Sequence, residues 1–189
     1  MKPSILACVF SGVAILCSTP ATAQTIIPNG QFSSLDGWSA PIGQGATFTL
    51  DGGEGSPDTP SALLRAGGTP SAYVLSDCIP YTPTGAVDLQ GDIKNSAQGL
   101  PEFPGLVQVV AYTDEVCGSP GQYFHTTTCF ALSAGWQRCS NLGFLLPPGT
   151  RALRIDLSVY SFTVAANFDN IRLGPTGTVP VTLQSFDIE

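Results

Sequence analysis

The chain is 189 residues long, carries a formal net charge of −7, and contains 21 glycines and 16 prolines. Its seven basic residues include only two lysines, Lys2 and Lys94, so it lacks the clustered cations that a nucleic-acid surface or an anionic membrane demands. Glycine and proline recur every few positions, strong helix formers are scarce, and no stretch beyond the N-terminus keeps a helical period, which leaves an all-β class.

Residues 1–23 combine Lys2, an apolar run from Ile5 to Leu16, and Ala21 and Ala23 on either side of Thr22, the pattern of a secretory signal peptide cut after Ala23. The run is about a dozen residues, short of the roughly 20 that span a bilayer. Cys17 raises lipid attachment as an alternative, but Leu16 is bulkier than the residue preferred before a lipidated cysteine. The expectation is a secreted protein, extracellular or periplasmic, with no membrane partner. Residues 24–173 then form one domain with room for a core, and residues 174–189 form a linker and a short polar tail. A monomer is expected.

The domain opens on NGQFSSLDGW, residues 29–38. Asn29-Gly30 and Asp36-Gly37 are turn pairs, and between them the chain can lay Phe32 and Trp38 onto a core. Strand-like runs follow, separated by turn clusters: 46–50, 61–66, 72–79, 87–94, 106–113, 136–146, 152–162 and 166–173. Eight such runs predict a two-sheet antiparallel β-sandwich, or jelly roll. Along 152–162, Leu153, Ile155, Leu157 and Val159 point one way and Arg154, Asp156, Ser158 and Tyr160 the other. Val87, Leu89 and Ile93 likewise oppose Asp88, Gln90, Asp92 and Lys94. The alternation predicts a buried face and a wet face.

Four cysteines lie beyond the signal segment: Cys78, Cys117, Cys129 and Cys139. In an exported chain they read as two disulfides, for which three connectivities exist. Their spacing supplies no close pair for zinc.

Catalytic signals are thin. His125, the single histidine, lies in QYFHTTTC without the surroundings of a nucleophile elbow. Asp88, Asp92 and Asp156 are expected on one sheet face, where two carboxylates would suit glycoside cleavage, but nothing marks a buried acid among them. The loop DGGEGSPD gathers Asp51, Glu54 and Asp58, a weak calcium signal in what is otherwise a solvated turn. The wet face says more. Gln90, Gln108, Tyr112, Arg154, Asp156 and Tyr160 would project from neighbouring strands, and sugar recognition uses aromatic rings beside amide, carboxylate and guanidinium groups.

NGQFSSLDGWS, SALLR, SDC followed by IPYTPTG, GW followed by QRCSNLGFLLPPGTRALRIDL, and FDNIRL occur in this order over residues 27–173. In that order they resemble the landmarks of secreted bacterial carbohydrate-binding-module jelly rolls of the CBM_4_9 type, within the galactose-binding-like fold. The resemblance implies a polysaccharide or glycan as partner and disulfides Cys78–Cys117 and Cys129–Cys139. It also implies a structural calcium held by an acidic residue after the first phenylalanine and an aspartate in the last strand. Asp169 matches the second position; the first is Ser33, a weak neutral oxygen for a hard cation. The expected function is non-catalytic carbohydrate binding. The alternatives are an extracellular structural or adhesive scaffold and a small polysaccharide-active enzyme.

Overall fold

The computed structural model describes residues 9–10, 13–14, 25–68, 70–95, 105–124, 135–160 and 165–178. Among these residues twelve strands run in chain order: β1 Val9–Phe10, β2 Val13–Ala14, β3 Thr47–Asp51, β4 Ser61–Arg65, β5 Ala72–Leu75, β6 Ile79–Pro80, β7 Val87–Asn95, β8 Gly105–Tyr112, β9 Gln122–Phe124, β10 Gln137–Phe144, β11 Ala152–Val159 and β12 Ala165–Pro175. Apart from the β1–β2 ribbon they build two antiparallel sheets, ordered β10-β7-β12-β4-β3 and β5-β11-β8-β9, with β6 also paired to β11. The protein is an all-β, two-sheet sandwich, and the strands expected from turn spacing are present. Two details differ. Residues 72–79 are not one strand but β5 and the start of β6, and β9 emerges from a stretch read as loop. The signal-segment reading and His125 concern residues outside those described, save the short β1–β2 ribbon.

The core lies where the inner faces meet. Val87, Leu89 and Ile93 of β7 and Phe168 and Leu173 of β12 pack against Val107 and Val109 of β8 and Leu153, Ile155, Leu157 and Val159 of β11. Period-two alternation sends these residues inward, as expected. Phe32 is fully buried and packs its ring at a tilt against Trp38, centroids 5.2 Å apart, and edge-to-face against Phe48 at 6.5 Å, so the N-terminal aromatics do serve the core. Their segment is pinned to β12. Gly30 accepts a 2.8 Å hydrogen bond from the Ile171 amide, and a Cβ on Gly30 would fall 2.1 Å from the Ile171 carbonyl oxygen, so no larger residue fits.

A disulfide joins Cys78 to Cys117, with Cα atoms 5.8 Å apart, as the family resemblance implied. Cys139 is also disulfide-bonded, and Cys129 lies outside the described residues.

The outer face of the β10-β7-β12-β4-β3 sheet is covered by its own loop. Asp92 is 2% exposed and receives Arg138 in a bidentate pair, Nε to Oδ1 at 2.8 Å and Nη2 to Oδ2 at 2.9 Å. Ser56 donates its Oγ to Asp92 at 3.0 Å and its amide to Asp169 at 2.7 Å, which latches residues 51–58 across the sheet. Lys94 and Glu54 pair at 2.6 Å, and Asn167 donates to Asp51 at 3.0 Å. The acidic loop is thus a cover for buried polar groups.

Candidate functional site

The sequence-derived site residues do not share one sheet. Gln90 belongs to β7, with Asp88 and Asp92, on the outer face of the first sheet. Gln108, Tyr112, Arg154 and Asp156 belong to β8 and β11, on the outer face of the second, and Tyr160 is the residue after β11. Strand alternation sorts residues between faces and is blind to which of two sheets a strand joins, so Gln90 leaves the set.

Strand register lays out the second face row by row. Ser158 stands opposite Tyr73 of β5 and Leu106 of β8; Asp156 stands opposite Leu75 and Gln108; Arg154 stands opposite Val110, and Ala152 opposite Tyr112. Directly opposed residues of an antiparallel pair share a face. Ile42 extends the first row through its bridge to Tyr73. Tyr73, Ser158, Leu106 and Ile42 were not among the predicted site residues, although Ala72 and Val74 alternate with Tyr73 and Leu75 in a way that marks Tyr73 as outward.

This face is not wet. Gln108 is 4% exposed, Asp156 2% and Ser158 2%, whereas Tyr73, Leu75, Leu106 and Arg154 are half-buried and Tyr160 is 37% exposed. The result is a polar floor edged by partly open apolar and aromatic groups. Ser158 Oγ donates to Asp156 Oδ1. Burial raises the Asp156 carboxyl to about 6, against the opposing effect of that hydrogen bond. Arg154 sends Nη1 to the Ser76 carbonyl at 3.4 Å, and its buried Nε has no hydrogen-bond partner among the described residues.

Tyr112 occupies the predicted face but not the predicted environment. It packs with Val110 and Ala152 into a second apolar cluster bordered by Leu75, Cys78 and Cys117. The chain closes over it at Gly121, where a Cβ would lie 2.5 Å from Val110 Cγ1 and 3.0 Å from Tyr112 Cε1. Burial raises the phenol pKa, with the Arg154 charge lowering it. A ring held this way is a packing element and offers no open face for stacking.

The calcium expectation does not fit the residues present. Both Asp169 oxygens already accept backbone hydrogens, from Ser56 at 2.7 Å and Asn170 at 2.7 Å. Its carboxyl is raised to about 6, chiefly by burial. The adjacent Asp92 is held by Arg138, Asn170 turns an amide donor into the cluster, and Ser33 donates its Oγ to Asn29 at 3.1 Å. A hard cation requires several free anionic or carbonyl oxygens, and this cluster presents donors and a guanidinium instead. Among the described residues, no group of three or more His, Cys, Asp or Glu side chains is arranged to hold a metal.

No protein-family profile and no curated protein sequence matches the chain. Solved structures do. The C-terminal family 22 carbohydrate-binding module of Clostridium thermocellum Xyn10B is similar with a TM-score of 0.64 at 13% identity, covering 80% of this chain and 94% of that one. The CBM22-1 xylan-binding domain of Paenibacillus barcinonensis Xyn10C gives 0.55 at 11% identity, covering 82% and 96%. A family 16 carbohydrate-binding module gives 0.54 at 19% identity, covering 79% and 99%. At these identities the likeness is one of fold.

Proposed function

We propose that this chain is an exported, non-catalytic module that binds a poly- or oligosaccharide on the outer face of its β5-β11-β8-β9 sheet. The observation that carries the reading is the register: Tyr73 stands opposite Ser158, with Asp156, Gln108 and Arg154 in the adjoining rows, and the exposed Tyr160 follows the end of β11. Aromatic rings offer flat apolar contact to a sugar ring, and buried amide, hydroxyl and carboxylate groups read its hydroxyls. Paired strands lie about 4.8 Å apart, so side chains from β5 and β11 reach one bound residue or its neighbour. The solved structures named as xylan-binding make xylan the first ligand to try. The Cys78–Cys117 disulfide supports an oxidising compartment, and no helix among the described residues is long and apolar enough to cross a membrane.

Asp156 lies on the sheet opposite Asp88 and Asp92, so the three acids expected on one face do not share it. Calorimetry or affinity electrophoresis of the purified protein against xylan, β-glucan, mannan and galactan tests the proposal. At least one polymer is expected to bind, and Tyr160→Ala is expected to weaken it several-fold without lowering the melting temperature. Failure of all four to bind, or equal affinity in the variant, overturns the reading.

A further inference from the structure

Asp156 is the one acidic side chain that the described residues place on the floor of this face. It is 2% exposed, and its one hydrogen bond among the described residues, from Ser158 Oγ, goes to Oδ1. Oδ2 is left to whatever occupies the face. Arg154, two positions earlier on the same strand, sends its guanidinium to the Ser76 carbonyl, so no ion pair among the described residues neutralises the carboxylate. We infer that ligand binding on this face is proton-linked through Asp156, with the ionised carboxylate as the form that receives the sugar hydroxyls. The inference rests on the glycan reading above and adds its regulation.

Among the described residues, the surroundings isolate this group. Gln108 of β8 and Leu75 of β5 stand directly opposite Asp156, Leu106, Val110 and Tyr73 stand one row away, Arg154 and Ser158 flank it on its own strand, and Tyr112 feels its charge. Asp114, which acts on Tyr112 from the following loop, is held well below the ordinary carboxylate range by hydrogen bonds from Ser119, Gly118 and Val116. Phenols and guanidinium groups do not change charge between pH 5 and 7. Of these groups, Asp156 is the one that does, because burial lifts its carboxyl to about 6. Asp169, also near 6, lies on the other sheet.

The sign follows from linkage. Hydroxyls donated by a sugar stabilise the anion and pull the carboxyl back toward its ordinary value near 4, so the bound protein holds fewer protons than the free protein between pH 4 and 6. Acid therefore competes with the ligand. A free value of about 6 and a bound value of roughly 4 give an affinity about tenfold lower at pH 5 than at pH 7.

Carbon-13 carboxylate NMR on the full chain, free and with neutral xylo-, gluco- and galacto-oligosaccharides, combined with calorimetry at pH 7, 6 and 5, tests this. Asp156 should titrate near 6 when free and lower when bound, and Asp156→Asn should flatten the pH dependence. Tyr160→Ala should weaken binding by the same factor at every pH. An ordinary titration near 4 in the free protein overturns the inference whether or not a sugar binds, and also if Asp156→Asn fails to fold. Binding of equal strength at pH 5 and 7 overturns it while leaving the glycan reading intact. Absence of binding by every oligosaccharide at every pH overturns both.

Discussion

Tyr112 on β8 and Tyr160, the residue after β11, answer to different forces. Tyr112 is 9% exposed and wedged between Val110, Ala152 and the Cys78–Cys117 bridge, whereas Tyr160 stands 37% exposed after the end of β11. Removing the buried ring leaves a cavity as well as lost apolar contact, so Tyr112→Ala should cost about 3 kcal/mol. For a chain of this size that lowers the melting temperature by roughly 6 to 12 °C. Tyr160→Ala should shift it by less than about 2 °C, as exposed substitutions do. Thermal denaturation of the two variants settles the ranking, and an equal or reversed order would contradict the packing described. Alternation marked the face that Tyr112 occupies, but not that Gly121 would close over its ring. The glycine carries no side chain to betray the contact.

At the scale of elements, the loop between β3 and β4 shows why composition misleads. Asp51, Glu54 and Asp58 read as a solvated turn or a weak cation site. In the structure Asp51 receives Asn167, Glu54 pairs with Lys94, and Ser56 hydrogen-bonds to Asp92 and Asp169. The polar outer face of β7 and β12 is buried because this loop supplies its partners, a long-range pairing that no local pattern records. Arg138, whose side chain is 34% exposed, is the charge that balances Asp92. Arg138→Leu should destabilise by about 2 kcal/mol, less than a fully buried pair because water still reaches the guanidinium. Asp92→Asn combined with Arg138→Leu should recover part of that loss, since the stranded charge is gone. Chemical denaturation of the single and double variants measures it, and a double variant no more stable than Arg138→Leu alone would contradict the pairing. The short strands were harder to read. β9 spans only Gln122–Phe124, and β5 separates from β6 where Ser76 turns its Oγ inward to accept the Ile155 amide at 2.9 Å.

For the whole molecule, regular turn spacing and clean alternation in 87–94, 106–113 and 152–162 made the sandwich legible. The inward residues named from sequence are the core that the two sheets share. The site was legible in part. Of the residues named for the candidate site, Gln108, Arg154 and Asp156 share one face, Tyr160 follows the end of β11, Gln90 sits across the sandwich, and Tyr73 joins that face only through the pairing of β5 with β11. Both outer faces carry buried polar side chains, and they differ in what covers them. The first is latched by residues 51–58, while the second is bordered by half-buried Tyr73, Leu106 and Arg154 and exposed Tyr160. That asymmetry is the reason for assigning the ligand to the second sheet. Amide chemical-shift mapping during titration with the best-binding oligosaccharide tests the assignment most directly. The account predicts shifts concentrated at Tyr73, Leu75, Leu106, Gln108 and residues 154–160, with the β10-β7-β12 face unmoved; shifts centred on Gln90, Arg138 and Arg172 would contradict it.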